Sequence, residues 1–197
     1  MPETNDNHRH DVVAIVGSAG GIRAMENVLH QLPGDLDAAV VIVLHLTPQH
    51  KSMLAKILDR QTDLTVREAE DGDVLESATV YVAPPDAHLL VTAEGTIHLD
   101  QSALVHHVRP SADALLLSLA HDYEGRCLAV VLSGTGIDGA AGAAAINKAG
   151  GIVLAQNEAT AEHFGMPGAA ILAGGVDEVL ALDEIGAAVV EFTVHST

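Results

Sequence analysis

Residues 13–21 read V-A-I-V-G-S-A-G-G, an apolar run that ends abruptly in small residues. Apolar residues then recur at the spacing of a helix, at positions 22, 25, 29 and 32. This stretch predicts a buried strand followed directly by a helix, with Ser18 on the turn between them. The first amide groups of a helix carry partial positive charge, which favours an alkoxide or an oxyanion beside the Ser18 hydroxyl.

The same alternation of strands and helices continues along most of the chain. The patterns predict strands at 12–16, 39–44, 64–68, 79–82, 89–92, 96–99, 128–132 and 152–155, and helices at 22–31, 51–60, 140–148 and 183–192. Another helix opens near 109–111, where Ser111 is a candidate N-cap. Strands that are apolar on both faces and joined by helices indicate a mainly parallel sheet. We expect a three-layer α/β/α sandwich with a doubly wound sheet, and a small β-hairpin excursion through Ala93-Glu94-Gly95.

Length and composition bound the class of protein. The chain has 197 residues, of which 48% are hydrophobic and 2% aromatic. We therefore expect one domain at 12–197 with an aliphatic core, preceded by a disordered polar tail at 1–11. Cys127 is the single cysteine, which excludes an intrachain disulfide framework and a cysteine-rich zinc site.

Charge and hydropathy exclude several kinds of partner. The chain carries 27 acidic and 9 basic residues, a formal charge of −18 that disfavours nucleic acid and anionic membrane surfaces. Its N-terminus has no apolar segment of the signal-peptide type, and no apolar run approaches the roughly 18 residues of a membrane span. A cytoplasmic setting without membrane insertion is therefore expected.

Two later strands end in polar residues in the same way as the first. The run A-V-V-I-V-L is followed by His45, and L-A-V-V-L-S leads into the loop G-T-G-I-D-G that contains Asp138. Ligands of open parallel sheets bind beyond the carboxyl ends of the strands, so we expect Ser18, His45 and Asp138 at one edge. A hydroxyl, an imidazole and a carboxylate form a nucleophilic triad for acyl transfer, with Ser18 as nucleophile, His45 as base and Asp138 orienting the imidazole.

Glycine-rich turns beside these residues supply candidate donors to an oxyanion. The candidate backbone amides belong to Ala19, Gly20, Gly21 and Thr135, because glycine allows the backbone to approach a ligand closely. A structural interpretation stays open for each triad member taken alone. The serine then caps a helix, the histidine is a satisfied structural residue and the aspartate is a turn residue.

Other site motifs do not fit the chain. The segment 17–21 lacks the G-x-G-x-x-G spacing of dinucleotide sites, no G-x-x-x-x-G-K-[ST] occurs, and Val16 replaces the first glycine of a G-x-S-x-G elbow. The pairs His8/His10 and His106/His107 have no H-E-x-x-H pattern or carboxylate companion, and we interpret them as surface residues. The sequence predicts neither a metal site nor a cofactor.

Seven short motifs occur in order between Val12 and Phe192: I-V-G-S-A-G-G at Ser18, V-L-H at His45, V-Y-V-A-P-P-D-A-H at 80–88, R-P-S-A-D at 109–113, L-S-G-T-G-I-D-G-A-A-G at 132–142, N-K-A-G-G at 147–151 and G-M-P at 165–167. In these motifs the chain resembles the catalytic domain of the bacterial chemotaxis protein-glutamate methylesterases (CheB type). The resemblance implies a serine hydrolase that demethylates glutamate methyl esters on chemoreceptors, and that in many members also deamidates glutamines. It assigns the nucleophile, base and acid to Ser18, His45 and Asp138.

The chain also departs from that family pattern. Ala19 stands where the family often has threonine, and Thr135 where it often has methionine. No receiver domain precedes Val12 in this sequence, so activation gated by phosphorylation is not assumed. Two alternatives stay open: a sensory adaptor of the same fold that has lost turnover, and an esterase of similar mechanism acting on another acyl substrate.

The resemblance names a methylated chemoreceptor as the partner. An acidic enzyme gains nothing overall from meeting an acidic receptor helix, so any attraction is local. Lys51, Lys56 and Arg60 lie on the predicted helix after His45, the last two at the i, i+4 spacing of a shared face. They are candidate docking residues, and an ordinary solvated helix face is the alternative.

Overall fold

The computed structural model of the protein describes residues 11–45, 53–123 and 125–195. Its main sheet contains seven parallel strands: β1 (Asp11–Gly17), β2 (Ala38–Leu44), β3 (Thr65–Glu68), β4 (Thr79–Val82), β7 (Cys127–Val131), β8 (Ile152–Gln156) and β9 (Glu178–Leu180). Their order across the sheet is β3-β4-β2-β1-β7-β8-β9. A separate antiparallel hairpin pairs β5 (His88–Val91) with β6 (Ile97–Asp100).

Helices cover both faces of this sheet. They are α1 (Gly21–His30), α2 (Leu54–Leu58), α3 (Ala112–Asp122), α4 (Ala140–Lys148), α5 (Gly165–Leu172) and α6 (Leu182–His195). One core joins the sheet to α1, α2 and α6, and its buried members include Met25, Leu58 and Val189. The other joins it to α3, α4, α5 and the hairpin, and its buried members include Leu116, Ile146 and Met166. Because side chains alternate along a strand, β1 contributes to both cores.

The predicted three-layer α/β/α sandwich is confirmed, and so is the hairpin excursion. The predicted N-cap at Ser111 is also present, since its hydroxyl accepts a hydrogen bond from the Ala114 N–H. Asp11, which the sequence assigned to the tail, is instead the first residue of β1, and its carboxylate bonds Arg126 at 3.1 Å. Residues 1–10 lie outside the described part, so disorder of the tail stays a prediction.

Three elements differ from the sequence prediction. The helix expected at 51–60 appears as the five-residue α2 followed by a 3₁₀ turn, Asp59–Gln61. Helix α5 was not predicted because two glycines and Pro167 argue against a helix; the proline is tolerated because it lies in the first turn, whose N–H groups have no intrahelical acceptor. Strand β9 was missed because it is a three-residue edge strand with no apolar alternation.

Two further observations limit what the described residues can do. None of their helices combines the length and apolar character that crossing a bilayer requires. Cys127 is buried at the start of β7, and this burial raises the pKa of its thiol to about 12. Since only a thiolate is an effective nucleophile, Cys127 is an inert packing residue at neutral pH.

Candidate active site

The carboxyl ends of neighbouring strands bring Ser18, His45 and Asp138 to one edge of the sheet. Gly17 at the end of β1 pairs with Leu44 at the end of β2, so the next residues, Ser18 and His45, leave the sheet side by side. Strand β7 flanks β1 on its other side, and the loop after it carries Asp138. The chain runs outward from β1 in both directions, and such switch points form the ligand crevices of doubly wound sheets.

Backbone hydrogen bonds hold the turn at the end of β1. The Ser18 N–H donates to the Ser133 carbonyl at 3.0 Å, and the His45 N–H donates to the Gly17 carbonyl at 3.3 Å. The Gly21 N–H closes the turn on the Ser18 carbonyl at 2.8 Å. These bonds tie the backbone of Ser18 to the β7 side and that of His45 to β1, so both backbone positions are set by the sheet.

The imidazole of His45 is held by Asp138. Its Nε2 lies 2.7 Å from Oδ2 of the carboxylate, and the two side chains are 14% and 3% exposed. An ionised carboxylate only accepts hydrogen bonds, so Nε2 carries a hydrogen, and in the neutral imidazole the lone pair is then on Nδ1. Among the described residues, neither that Nδ1 nor the Ser18 hydroxyl has a hydrogen-bond partner. The side chains of Ser18 and His45 therefore make no hydrogen bond to each other in this structure. Catalytic hydrogen bonds are often long or poorly aligned in unliganded sites.

Four donors surround the carboxylate of Asp138. Oδ1 accepts from the Ser111 hydroxyl at 2.7 Å and the Asp113 N–H at 3.0 Å. Oδ2 accepts from the Ala112 N–H at 2.6 Å and from His45. Burial on its own would raise the pKa of Asp138, but these hydrogen bonds outweigh it and hold the pKa below its ordinary value. Asp138 is therefore an anion that can stabilise a protonated His45.

The predicted oxyanion donors fall into two groups. The Gly21 N–H is occupied by the Ser18 carbonyl and has no hydrogen to offer a ligand. Within the described residues, the N–H groups of Ala19, Gly20 and Thr135 have no acceptor. Gly20 adopts a φ of 76° and caps α1 without a side-chain hydrogen bond, which leaves the positive end of this helix uncapped beside Ser18.

Because Gly134 has no side chain, the glycine-rich loop G-T-G-I-D-G can lie close to Ser18. A Cβ built there would lie 3.0 Å from the Ser18 Cβ and would collide with the Met166 side chain. The Gly134 N–H donates to the His163 carbonyl at 2.9 Å, and the Gly134 carbonyl accepts from the Met166 N–H at 2.8 Å. These contacts hold the loop that leads to Asp138 against the turn of Ser18.

Two of the three candidate docking residues lie on described elements that follow His45. Lys51 is outside the described residues. Lys56 is exposed on α2 and Arg60 is exposed on the 3₁₀ turn. The α-helix ends at Leu58, so the expected i, i+4 spacing on one α-helix does not hold for this pair. Lys56 lines a shallow groove of about 360 Å³ between α2 and β3.

A cluster of ligand-type atoms adjoins the candidate triad and includes Asp138. In the described part, His106, Asp113 and Asp138 place such atoms within 4.8 Å of one another. His106 Nε2 bonds Asp113 Oδ2 at 2.9 Å, and the Gly142 N–H donates to Asp113 Oδ1 at 2.7 Å. With Asp138 bonded to four donors, all of these carboxylate oxygens are occupied. The cluster is a hydrogen-bond network in which His106, interpreted from sequence as a plain surface residue, secures the buried Asp113.

Sequence reasoning missed the residues that hold Asp138. Ser111 was recognised only as a helix cap, and Asp113 was quoted only within a motif. Their link to Asp138 spans 25 to 27 positions and arises from the packing of α3 beside the loop after β7. The motif R-P-S-A-D was the one available signal. It does not identify the side chain that accepts hydrogen bonds from the start of the helix.

Known proteins of one family are similar to this chain over most of its length. The family model for the CheB methylesterase matches residues 13–189. A protein-glutamate methylesterase/protein-glutamine glutaminase 2 of Caulobacter vibrioides is 43% identical over 180 residues, covering 89% of this chain and 52% of that protein. A protein-glutamate methylesterase/protein-glutamine glutaminase of Geobacillus kaustophilus is 45% identical over 184 residues, covering 91% and 53%. The chain thus spans about half the length of these curated relatives.

A solved structure agrees over nearly all of its length. The crystal structure of the Thermotoga maritima CheB methylesterase catalytic domain superposes with a TM-score of 0.89 at 37% sequence identity. The match covers 93% of this chain and 98% of the solved one. This chain is therefore similar to a catalytic domain alone, over nearly the full length of both.

Proposed function

The chain belongs to the CheB methylesterase family, and we propose on that basis that it is a serine hydrolase that demethylates glutamate methyl esters on chemoreceptor proteins. The observation that supports this most directly is the 2.7 Å bond between His45 Nε2 and Asp138 Oδ2, with Ser18 leaving the adjacent strand end. An oriented neutral imidazole beside a serine hydroxyl is what acyl transfer requires. The names of the relatives supply the substrate class.

Acylation begins when Ser18 Oγ attacks the ester carbonyl of the substrate side chain. His45 Nδ1 takes the hydroxyl proton, and Asp138 stabilises the resulting imidazolium. The carbonyl oxygen becomes an oxyanion, for which the unoccupied N–H groups of Ala19, Gly20 and Thr135 are the nearby donors. The tetrahedral intermediate then expels methoxide, which takes the proton from His45 and leaves as methanol.

Deacylation repeats the same proton transfers with water. His45 accepts a proton from water while the hydroxide attacks the acyl-enzyme, and it returns that proton to Ser18 Oγ as the C–O bond breaks. The product is the carboxylic acid of the glutamate side chain, which releases its proton to solvent to become the carboxylate, and the enzyme is restored. The same cycle on glutamine releases ammonia instead of methanol, and the glutaminase part of the relatives' names supports this second activity for this chain.

A cytoplasmic location is part of the proposal. The single cysteine is buried as a protonated thiol and forms no disulfide, which suits a reducing compartment.

A methylated receptor is a protein substrate, so the site has to accept a side chain presented on a helix surface. Ser18 and His45 are both partly exposed at the carboxyl ends of β1 and β2, which is compatible with that.

Release of methanol from a chemoreceptor carrying radiolabelled methyl groups is the test of this function. We expect the protein to release labelled methanol at a rate that scales with enzyme concentration and saturates with receptor. The receptor without enzyme, and the receptor with the Ser18→Ala variant, are the controls for spontaneous ester hydrolysis.

The two alternatives predict different results in this assay. An adaptor of the same fold binds the receptor and releases no methanol above the control rate. An esterase for another acyl group hydrolyses a small activated ester but leaves the methylated receptor unchanged. Either result would replace the proposed function.

We include Lys56 and Arg60 in the proposal as docking residues for the acidic receptor, and Lys51 from its sequence position. Reversing two charges, Lys56→Glu with Arg60→Glu, is expected to slow receptor demethylation roughly 3- to 10-fold at low salt, because local attraction speeds encounter. The effect should fade as salt rises, since exposed charges are then screened. Rates are measured as methanol release between low and physiological ionic strength.

Two controls separate docking from chemistry. Hydrolysis of a small neutral ester should be unchanged in the double variant. Lys148→Glu reverses an exposed lysine at the far end of α4, on the sheet edge opposite the site, and should leave receptor demethylation unchanged. A double variant that loses equally on both substrates, or shows no salt-dependent loss on the receptor, would remove these residues from the proposal.

A further inference from the structure

The hydroxyl of Ser111 joins the first turn of α3 to the carboxylate of Asp138. Ser111 is completely buried, and its Oγ lies 2.7 Å from Oδ1 of Asp138. We propose that Ser111 is a positioning residue of the catalytic site, which orients the carboxylate of Asp138 so that Oδ2 faces His45. This inference rests on the proposed function, since it concerns how the same site is held ready for acyl transfer.

The direction of the Ser111 hydrogen bond is determined by its neighbours. The Ala114 N–H lies 3.3 Å from Ser111 Oγ and can only donate, so it occupies a lone pair of the hydroxyl. The ionised carboxylate of Asp138 can only accept. The single hydroxyl hydrogen of Ser111 therefore points at Oδ1, and the side chain acts as helix cap and carboxylate donor at the same time.

His88 holds Ser111 from the other side. The Ser111 N–H donates to His88 Nδ1 at 3.2 Å, and His88 Nε2 lies 3.1 Å from the Ala103 carbonyl. An acceptor at Nδ1 and a carbonyl at Nε2 are satisfied together only by the neutral imidazole with its hydrogen on Nε2. His88 is 1% exposed, so this arrangement is enclosed by protein. The bond to His88 thus fixes the backbone of Ser111 independently of the bond between the Ser111 hydroxyl and Asp138.

The two carboxylate oxygens of Asp138 bond different sets of donors. Oδ1 faces Ser111 and Asp113, whereas Oδ2 faces Ala112 and His45. The terminal torsion of an aspartate is soft on its own, so the plane of the carboxylate depends on its partners. Without the Ser111 hydroxyl, Oδ1 keeps one donor, the more distant Asp113 N–H, and the orientation toward His45 loosens.

Loss of the hydroxyl also changes the charge that His45 experiences. A donated hydrogen bond draws negative charge from a carboxylate, so Asp138 without it attracts a protonated His45 more strongly. We therefore expect the acid limb of the activity profile, where the rate rises with pH, to move to higher pH. A residue that only capped α3 would change the fraction of folded protein and would leave this limb in place.

The test is Ser111→Ala in the full chain. Turnover of the methylated receptor is expected to fall about 10- to 100-fold with KM within twofold, as for loss of a hydrogen bond to a charged group. The acid limb of kcat/KM should move to higher pH by about half a unit. The folded fraction is measured by circular dichroism under the assay conditions, and rates are expressed per folded molecule.

A matched control lies on the same helix. Ser118 Oγ donates to the Leu115 carbonyl and accepts from the Val91 N–H at 3.1 Å, so Ser118→Ala removes a comparable structural hydroxyl away from Asp138. This variant should keep the parent rate per folded molecule and the parent pH profile. Ser111→Thr, which retains a hydroxyl, should recover part of the lost turnover.

Labelling of Ser18 by a fluorophosphonate supplies a second readout that needs no receptor. If the parent is labelled but releases no methanol, the proposed function fails while the labelling rates of parent and Ser111→Ala still test the positioning role. Slower labelling with an upward-shifted acid limb supports the inference. Rates per folded molecule within twofold of the parent, an unmoved acid limb, or a parent that is not labelled at all would overturn it.

Discussion

Replacing Ser18 with alanine is expected to lower ester hydrolysis by roughly 10⁴- to 10⁶-fold, because the variant has no nucleophile to form the acyl-enzyme. The fold should be unaffected. The two hydrogen bonds of Ser18 in the turn are made by its backbone, to Ser133 and from Gly21, and alanine keeps both. The hydroxyl has no partner among the described residues, so its removal should change the free energy of unfolding by less than about 0.5 kcal/mol.

Single-turnover and steady-state methanol release, together with thermal unfolding, check this expectation. Ser77→Ala, a serine that bonds Asp37 away from the site, is the matched control and should keep parent turnover. The residual rate of Ser18→Ala measures what the remaining backbone donors achieve without covalent catalysis. Turnover near that of the parent in a folded Ser18→Ala variant would contradict the assignment of the nucleophile.

The arrangement of strand ends was accessible from sequence for a physical reason. Buried parallel strands read as continuous apolar runs, and the first polar residue after each run lies at the same sheet edge. Ser18 and His45 therefore follow from local patterns together with one topological rule. The sheet order adds what the sequence did not contain, namely that β2 and β7 are the two neighbours of β1.

The support around Asp138 was not accessible in the same way. Its donors come from α3, which precedes β7, and they meet the carboxylate only after the helix packs across the sheet. A cap residue such as Ser111 is recognised locally by its bond to Ala114, and its second bond has no local signature. Likewise, Gly134 is explained by its contacts with Met166 and Ser18, which lie far from it in sequence.

We expect replacement of Asp138 to combine a large loss of activity with an effect on stability. Because hydrogen bonds hold its pKa below the ordinary value, the ionised carboxylate stabilises the fold above the unfolded pKa of about 3.9. This contribution is lost as pH falls through the lower folded pKa. Asp138→Asn should therefore be less stable than the parent at neutral pH, and the difference should shrink in acid.

The catalytic effect of Asp138→Asn follows from the four donors around the carboxylate. If the amide NH₂ takes the place of Oδ2, it meets the Ala112 N–H, and His45 has to accept at Nε2. The His45 proton then moves to Nδ1, which removes the lone pair that would take the Ser18 proton. If the NH₂ takes the place of Oδ1, it meets the Asp113 N–H instead. Neither orientation supplies the negative charge that stabilises a protonated His45, so a loss of about 10⁴-fold in kcat is expected.

Measuring kcat, KM and thermal unfolding of Asp138→Asn separates its two roles. The matched control is Asp71→Asn: Asp71 also bonds a histidine, His98 at 3.0 Å, but the pair is exposed on the hairpin side and should have no effect on turnover. Fluorophosphonate labelling of Ser18 should slow in parallel with kcat in Asp138→Asn, because a His45 with the wrong tautomer cannot take the serine proton. A folded Asp138→Asn variant with turnover within tenfold of the parent would mean that the 2.7 Å contact with His45 is structural and that another group orients the base.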